Sequence, residues 1–273
     1  MSDVRAPAVA GTFYPASPTE LKSLVERLTG PAAPSRRVVR GAIVPHAGLI
    51  YSGACAGVVF REIVIPAVVV VLAPNHTGRM GAPGGASAWM RGGFRTPLGS
   101  SPVAESFLEA LAKRCRLVAH DPDAHLREHA VEVELVFIQL LAPEAALAPI
   151  VLAWDEWSYC RELGAALAET VRTWPEPVLL LASSDMTHYE SAASCARKDK
   201  LALQAVERVD GETLLAVCQR HEVTMCGRAP AATVLEAARL LGAVAAEVRD
   251  YRHSGWVTGD DSSVVAYAGV IVP

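Results

Sequence analysis

Three short apolar runs in this chain each stop at a polar cluster that carries histidine. Gly41–Val44 leads into Pro45-His46-Ala47-Gly48, residues 67–72 lead into Ala73-Pro74-Asn75-His76, and residues 178–181 lead into Ala182-Ser183-Ser184-Asp185-Met186-Thr187-His188. Short runs rich in valine, leucine and isoleucine, bounded by turn residues, are the pattern of strands buried on both faces of a parallel sheet. In open sheets of that kind, ligands lie outside the carboxyl ends of the strands. Three strands should therefore deliver His46, His76, Asp185 and His188 to one sheet edge, and chemistry is expected there.

Between the runs the pattern alternates with helices. Pro18-Thr19-Glu20 opens a helix carried by Leu21, Leu24, Val25 and Leu28, and Gly30-Pro31 ends it. A linker over 31–40 follows, then a glycine-bearing turn over 48–53 and a helix near 54–62. Residues 78–99, rich in glycine, proline and arginine, read as a long loop or hairpin, a type of segment that is often functional. Helices are expected over 104–114, 128–141, 159–173, 192–209, 211–222 and 229–241. Further strands are expected at 116–119, 149–152, 247–251 and 263–272, with a polar loop over 121–127. The hydrophobic share of 51% supports a sizeable core, and no internal repeat divides the 273 residues. The alternation predicts α/β class: a single three-layer α/β/α domain over 1–273 with a mostly parallel central sheet.

Composition narrows the function. A net charge of −4 without a basic stripe argues against a nucleic-acid partner. The start, Met1-Ser2-Asp3-Val4-Arg5, has no apolar leader, and 67–72 is too short to span a bilayer. The six cysteines show no CxxC spacing, so a reduced, cytoplasmic protein with mostly packed thiols is expected. No P-loop, GxGxxG fingerprint or GxSxG elbow occurs.

A lone histidine at a strand end is most often satisfied by a nearby carbonyl. Two at adjacent strand ends favour a metal, because neutral imidazole is the commonest transition-metal ligand. By residue type the third ligand is Asp185, Glu128, Glu132, Glu134 or Asp260, or the thiolate of Cys226. Asp185 and His188 are three apart and share a face if that turn is helical, so the carboxylate would orient the ring for proton transfer. Cys226 precedes the helix 229–241, and a helix N-terminus lowers a thiol pKa. The acids of Glu128-His129-Ala130-Val131-Glu132-Val133-Glu134 offset a helix macrodipole, with His129 or Glu132 as pocket-lining candidates. His120, His125, His221 and His253 read as surface or loop residues.

Several segments in order resemble the Memo family, the B component of AMMECR1–Memo–radical SAM gene clusters. They are Arg5-Ala6-Pro7-Ala8-Val9-Ala10-Gly11-Thr12-Phe13-Tyr14-Pro15, Pro45-His46-Ala47-Gly48 with Tyr51-Ser52-Gly53, Pro74-Asn75-His76-Thr77-Gly78, Glu128-His129 with Glu132, Ser183-Ser184-Asp185 with Thr187-His188-Tyr189, Met225-Cys226-Gly227, and Gly259-Asp260 with Ser262-Ser263. Leu49 and Ala73 depart from the usual tyrosine and glycine. The resemblance implies a fold like that of class III extradiol dioxygenases, which hold iron(II) with two histidines and a glutamate. It implies His46, His76 and Cys226 as metal ligands, with Asp185 and His188 as acid/base groups in the same pocket. Cysteine in the third position suits copper(I) or zinc as well as iron(II). The implied activity is a metal-binding, oxygenase-like redox function on a small-molecule substrate, with a pathway link to a radical SAM protein and an AMMECR1-like protein. A metal-free cysteine hydrolase, with Cys226 attacking and His188–Asp185 as base and orienter, is the alternative enzyme; a non-catalytic ligand- or protein-binding module is the third reading.

Overall fold

The computed structural model describes residues 4–31, 33 and 35–273. Met1, Ser2 and Asp3, on which part of the expectation of no apolar leader falls, and Ala32 and Pro34 of the 31–40 linker, lie outside the described residues. Nine strands form the main sheet: β1 Gly41–Val44, β2 Val68–Pro74, β3 Ala86–Ala88, β4 Val118–His120, β5 Ala146–Leu152, β6 Val178–Ser183, β7 His188–Glu190, β8 Glu247–His253 and β9 Val264–Val272. Their order is β7-β9-β1-β6-β2-β5-β3-β4, and β8 also pairs with β9. The four central strands β1, β6, β2 and β5 are all parallel. Antiparallel pairing enters at the margins, where β9 joins β1 and β3 joins β5.

Helices cover both faces, which gives the three layers expected from the alternation. Pro18–Thr29, Leu49–Glu62 and Ala130–Leu141 pack on one side; Glu105–Arg114, Trp157–Thr173, Ala192–Glu207, Gly211–Arg220 and Arg228–Leu240 pack on the other. Every residue of β1, β2 and β6 is buried, as strands covered on both faces must be. Among the described residues, no helix is long and apolar enough to cross a membrane.

Two local readings change. The 48–53 segment is not a turn: Gly48 caps a helix that starts at Leu49. Gly53 serves packing, since a Cβ there would sit 2.6 Å from Leu28 Cδ1 of the preceding helix. The 78–99 segment also divides. It gives β3 to the main sheet and then starts a hairpin, Gly93–Thr96 with Gly99–Pro102, to which Val4–Arg5 adds a third strand.

The helix Ala130–Leu141 matters most for the site. From Ala130 to Gln139 every residue is buried, because it is wedged between the sheet and two other helices. Glu132 and Glu134 lie inside that stretch, so each needs partners within the protein. The strand register sets the rest: Val44 lies opposite Ser183, and Leu72 opposite Ala182. The chain therefore leaves β1, β6 and β2 side by side, at one edge.

Candidate metal centre

His46 and His76 leave β1 and β2 at that edge, and His129 reaches the same point from the N-cap of the Ala130–Leu141 helix. Ligand nitrogens of all three lie within 4.8 Å of one another. Two nitrogens bound to one ion at about 2.1 Å stand roughly 3–4 Å apart, so the cluster needs little closing to share a metal. The His76 and His129 rings stack 4.6 Å apart at 24°, and the His46 ring stands across them at 77° and 81°.

The Nδ1 atoms are already engaged. His76 Nδ1 lies 2.9 Å from Glu128 Oε1, and a carboxylate only accepts, so Nδ1 carries the proton and Nε2 keeps its lone pair. Glu128 also accepts the backbone N–H groups of His76, His129 and Ala130. Burial works to raise the Glu128 pKa, yet the His76 hydrogen bond and charge, the His129 charge and the Ala130 N–H hold it down at about 2. His46 Nδ1 meets Ser183 Oγ at 2.8 Å. Burial, helped by the charge of His76, takes His46 down to about 3. Burial and the charge of His46 take His129 down to about 4. For His76, burial again lowers, but Glu128 overrides it and the pKa is raised. The centre thus presents two imidazoles held neutral and a third backed by a carboxylate.

Cys226 stands beside this cluster, its Sγ 3.4 Å from His46 Nε2. The approach depends on Gly227, where a Cβ would lie 2.3 Å from Ser183 O; Gly227 N–H donates to Ser184 Oγ at 2.9 Å. Burial first, then the charge of Asp185, pushes the Cys226 thiol well up, although Asp185 N–H donates to the sulfur at 3.3 Å. The thiolate expected from the helix N-terminus is therefore not favoured by the protein alone, because desolvation outweighs the helix end.

The 185–188 turn is not helical, and His188 begins β7. Asp185 Oδ1 accepts the backbone N–H groups of His46 and Ala47, at 2.9 and 3.3 Å, and so pins the loop that carries His46. Burial raises its pKa against those bonds. His188 is half-buried and turns Nδ1 to Thr224 O at 3.1 Å, which leaves its Nε2 free to accept a proton. Its charge still acts on His46 and Asp185.

The remaining candidates separate cleanly. Glu132 takes no part in the centre: it accepts from Arg5, Tyr14 and the N–H groups of Ala8 and Val9. That anchors the N-terminal segment, whose Phe13 packs 4.7 Å from the His129 ring. Asp260 is exposed and accepts from Ser262 N–H. His125, expected at the surface or in a loop, is fully buried, with Nε2 on Ser87 O at 2.9 Å. Its ring packs against Trp89 and Phe94, and Arg5, 120 residues away, donates to its backbone O. Beside Cys226, a cavity of about 570 Å³ opens to solvent, lined in part by Asn75, Met80, Trp154, Thr224 and Arg228.

The Memo-like protein family model matches residues 5–271. A MEMO1 family protein of Aquifex aeolicus is 41% identical over 271 residues, covering 98% of each chain. MEMO1 family proteins of Aeropyrum pernix and Thermotoga maritima are 38% and 37% identical, each over 98% of this chain and 99% of their own. With a match of that extent along its length, the chain belongs to the Memo family.

Proposed function

We propose that the chain is a metal-dependent, oxygenase-like redox protein, related in fold to the class III extradiol dioxygenases, that holds iron(II) or copper with His46, His76 and Cys226. His129 stands close enough to be a further or competing donor. The carrying observation is that His46 and His76 both have Nδ1 engaged, which turns both Nε2 atoms toward the point that His129 also reaches, with the Cys226 thiol 3.4 Å from the Nε2 of His46. The donor set fits such a metal: imidazole suits iron, copper and zinc, and a sulfur ligand shifts preference toward the softer ions. Bound there, a first-row metal supplies Lewis-acid and redox chemistry.

The chain's own groups have separate tasks. Glu128 fixes the His76 ring, and Asp185 fixes the backbone beneath His46. His188 moves a proton at Nε2, and the cavity beside Cys226 admits a small-molecule substrate next to the donors. The pathway link to a radical SAM protein and an AMMECR1-like protein, the cytoplasmic location and the single working domain belong to the same proposal. A metal-free cysteine hydrolase has less support, because burial opposes the thiolate and Asp185 is occupied by backbone rather than by His188. No comparable observation favours the binding module.

The test is elemental analysis of anaerobically purified protein beside His46→Ala, Cys226→Ser and His129→Ala variants that remain folded. Near-stoichiometric iron or copper in the unaltered chain, lost in His46→Ala, is expected. Loss in Cys226→Ser with retention in His129→Ala would fix the third ligand as sulfur; the reverse would make the site tris-histidine. Absence of bound metal after anaerobic reconstitution would overturn the reading.

A further inference from the structure

Glu134 is a fully buried acid that the proposed chemistry does not use. It lies on the all-buried helix Ala130–Leu141, and its Oε1 is 2.8 Å from Ser183 Oγ. The same Ser183 Oγ lies 2.8 Å from Ala130 O and 2.8 Å from His46 Nδ1. A hydroxyl has one hydrogen to donate and two lone pairs to accept with. Ala130 O only accepts, so the Ser183 hydrogen must go there if that contact is a hydrogen bond. Both lone pairs of Ser183 then take hydrogens, one from His46 Nδ1 and one from Glu134.

The other proton arrangements leave a contact without a hydrogen. With Glu134 ionised, Ala130 O and Glu134 Oε1 would face one hydroxyl hydrogen, and one oxygen pair would meet bare. With His46 protonated on Nε2 instead, Nδ1 would take the Ser183 hydrogen and Ala130 O would lose its donor. We propose that Glu134 is a positioning residue: as an uncharged acid it donates to Ser183 Oγ and so holds in place the hydroxyl whose hydrogen goes to Ala130 O and whose other lone pair keeps the His46 proton on Nδ1 and the Nε2 lone pair toward the centre.

Two further observations agree. Glu134 Oε2 has no hydrogen-bond partner among the described residues, a place tolerable for the oxygen of a neutral acid and costly for that of a carboxylate. Burial also pushes the Glu134 pKa well up; the Ser183 bond opposes this and the charge of Asp185 adds to it. Glu132, two residues earlier and equally buried, contrasts with it because Arg5 stands on its carboxylate.

The effect on metal affinity rests on the metal reading, whereas the proton assignment is read without metal. Infrared difference spectra between metal-free wild type and Glu134→Gln at neutral pH should show a carboxylic-acid carbonyl band that the variant lacks. Nitrogen-15 spectra of His46 should give the Nδ1-protonated tautomer in wild type and in Glu134→Gln, whose amide N–H still donates to Ser183. Glu134→Leu keeps the Ala130 acceptor and should keep that tautomer, whereas Ser183→Ala, which removes the hydroxyl, should give a mixture of tautomers. Where metal binds, Glu134→Gln should stay within about threefold of wild type, and Ser183→Ala should weaken binding by about 10–100-fold. A difference spectrum showing only carboxylate bands would overturn the proposal. An unchanged His46 tautomer in folded Ser183→Ala would overturn it too, and if that variant does not fold the infrared comparison decides alone.

Discussion

Two polar clusters grow from the same stretch of chain, residues 125–134, and they differ in what they leave open. In the first, Arg5 donates to Glu132, Glu128 O and His125 O, and both Glu132 oxygens are taken by Arg5, Tyr14 and the backbone of Ala8 and Val9. In the second, Glu128 and Ser183 engage one nitrogen each of His76 and His46, while the facing Nε2 atoms converge with His129. The side chains of the first are buried throughout, whereas in the second His46 and Glu128 are buried, His129 is half-buried and His76 is exposed. The first cluster closes on itself and is scaffold; the second turns three imidazole nitrogens, with a thiol beside that of His46, toward one small volume, which is what a ligand site requires.

Breaking the closed cluster should have the largest effect. Glu132→Ala strands the Arg5 guanidinium in the interior and removes the anchor of the N-terminal segment. A loss of about 3–5 kcal/mol in denaturant unfolding is expected, as for one partner removed from a buried ion pair. A loss below about 1 kcal/mol would erase the distinction between the clusters. Next comes pH. Burial lowers His125 from 6.5 to about 4, and its Nδ1 has no partner among the described residues. The unfolded chain binds that proton below about pH 6.5 and the folded chain only near 4. This group's contribution is therefore fully present above pH 6.5 and lost as pH falls from 6.5 toward 4, about 3 kcal/mol in all. In metal-free protein His46 and His129 add slopes of the same sign. His125→Gln should flatten the stability–pH curve in that window, and an unchanged slope would mean that His125 is protonated in the fold.

What the sequence disclosed follows the same division. Apolar runs ending in polar residues located β1, β2 and β6, and with them His46, His76 and Asp185, because strand burial and strand ends leave local marks. His129 carries no such mark; it enters from a helix cap, and its neighbours Glu128 and Glu132 look alike in sequence although one backs the centre and the other anchors Arg5. The macrodipole accounts for acids at a helix start, but it does not foretell that Glu134 is sealed inside a helix buried on every side. The burial of His125 within its loop and the raised Cys226 thiol have one reason for escaping the sequence. Desolvation depends on what packs over a residue from distant segments, here Trp89 and Phe94 on one and the Asp185 backbone on the other.

Glu128 belongs to both clusters, its carbonyl to Arg5 and its carboxylate to His76, so a change confined to its side chain sharpens the contrast. Glu128→Gln leaves the carbonyl contact with Arg5 in place. With the amide oxygen in the place of Oε1 it still accepts from His76 Nδ1 and the His129 and Ala130 N–H groups, but the amide nitrogen now faces the His76 backbone N–H that had met a carboxylate oxygen. Metal affinity should fall by about 10–100-fold, equivalent to about 1–3 kcal/mol, as when a partner behind a ligating histidine is changed. Stability of the metal-free protein should fall by less than in Glu132→Ala, since no cation is stranded. Paired titrations of metal binding and unfolding on the two variants measure this. Should Glu128→Gln lower stability as much as Glu132→Ala while leaving metal affinity intact, Glu128 would be scaffold, and the boundary between the clusters would pass between His76 and its carboxylate.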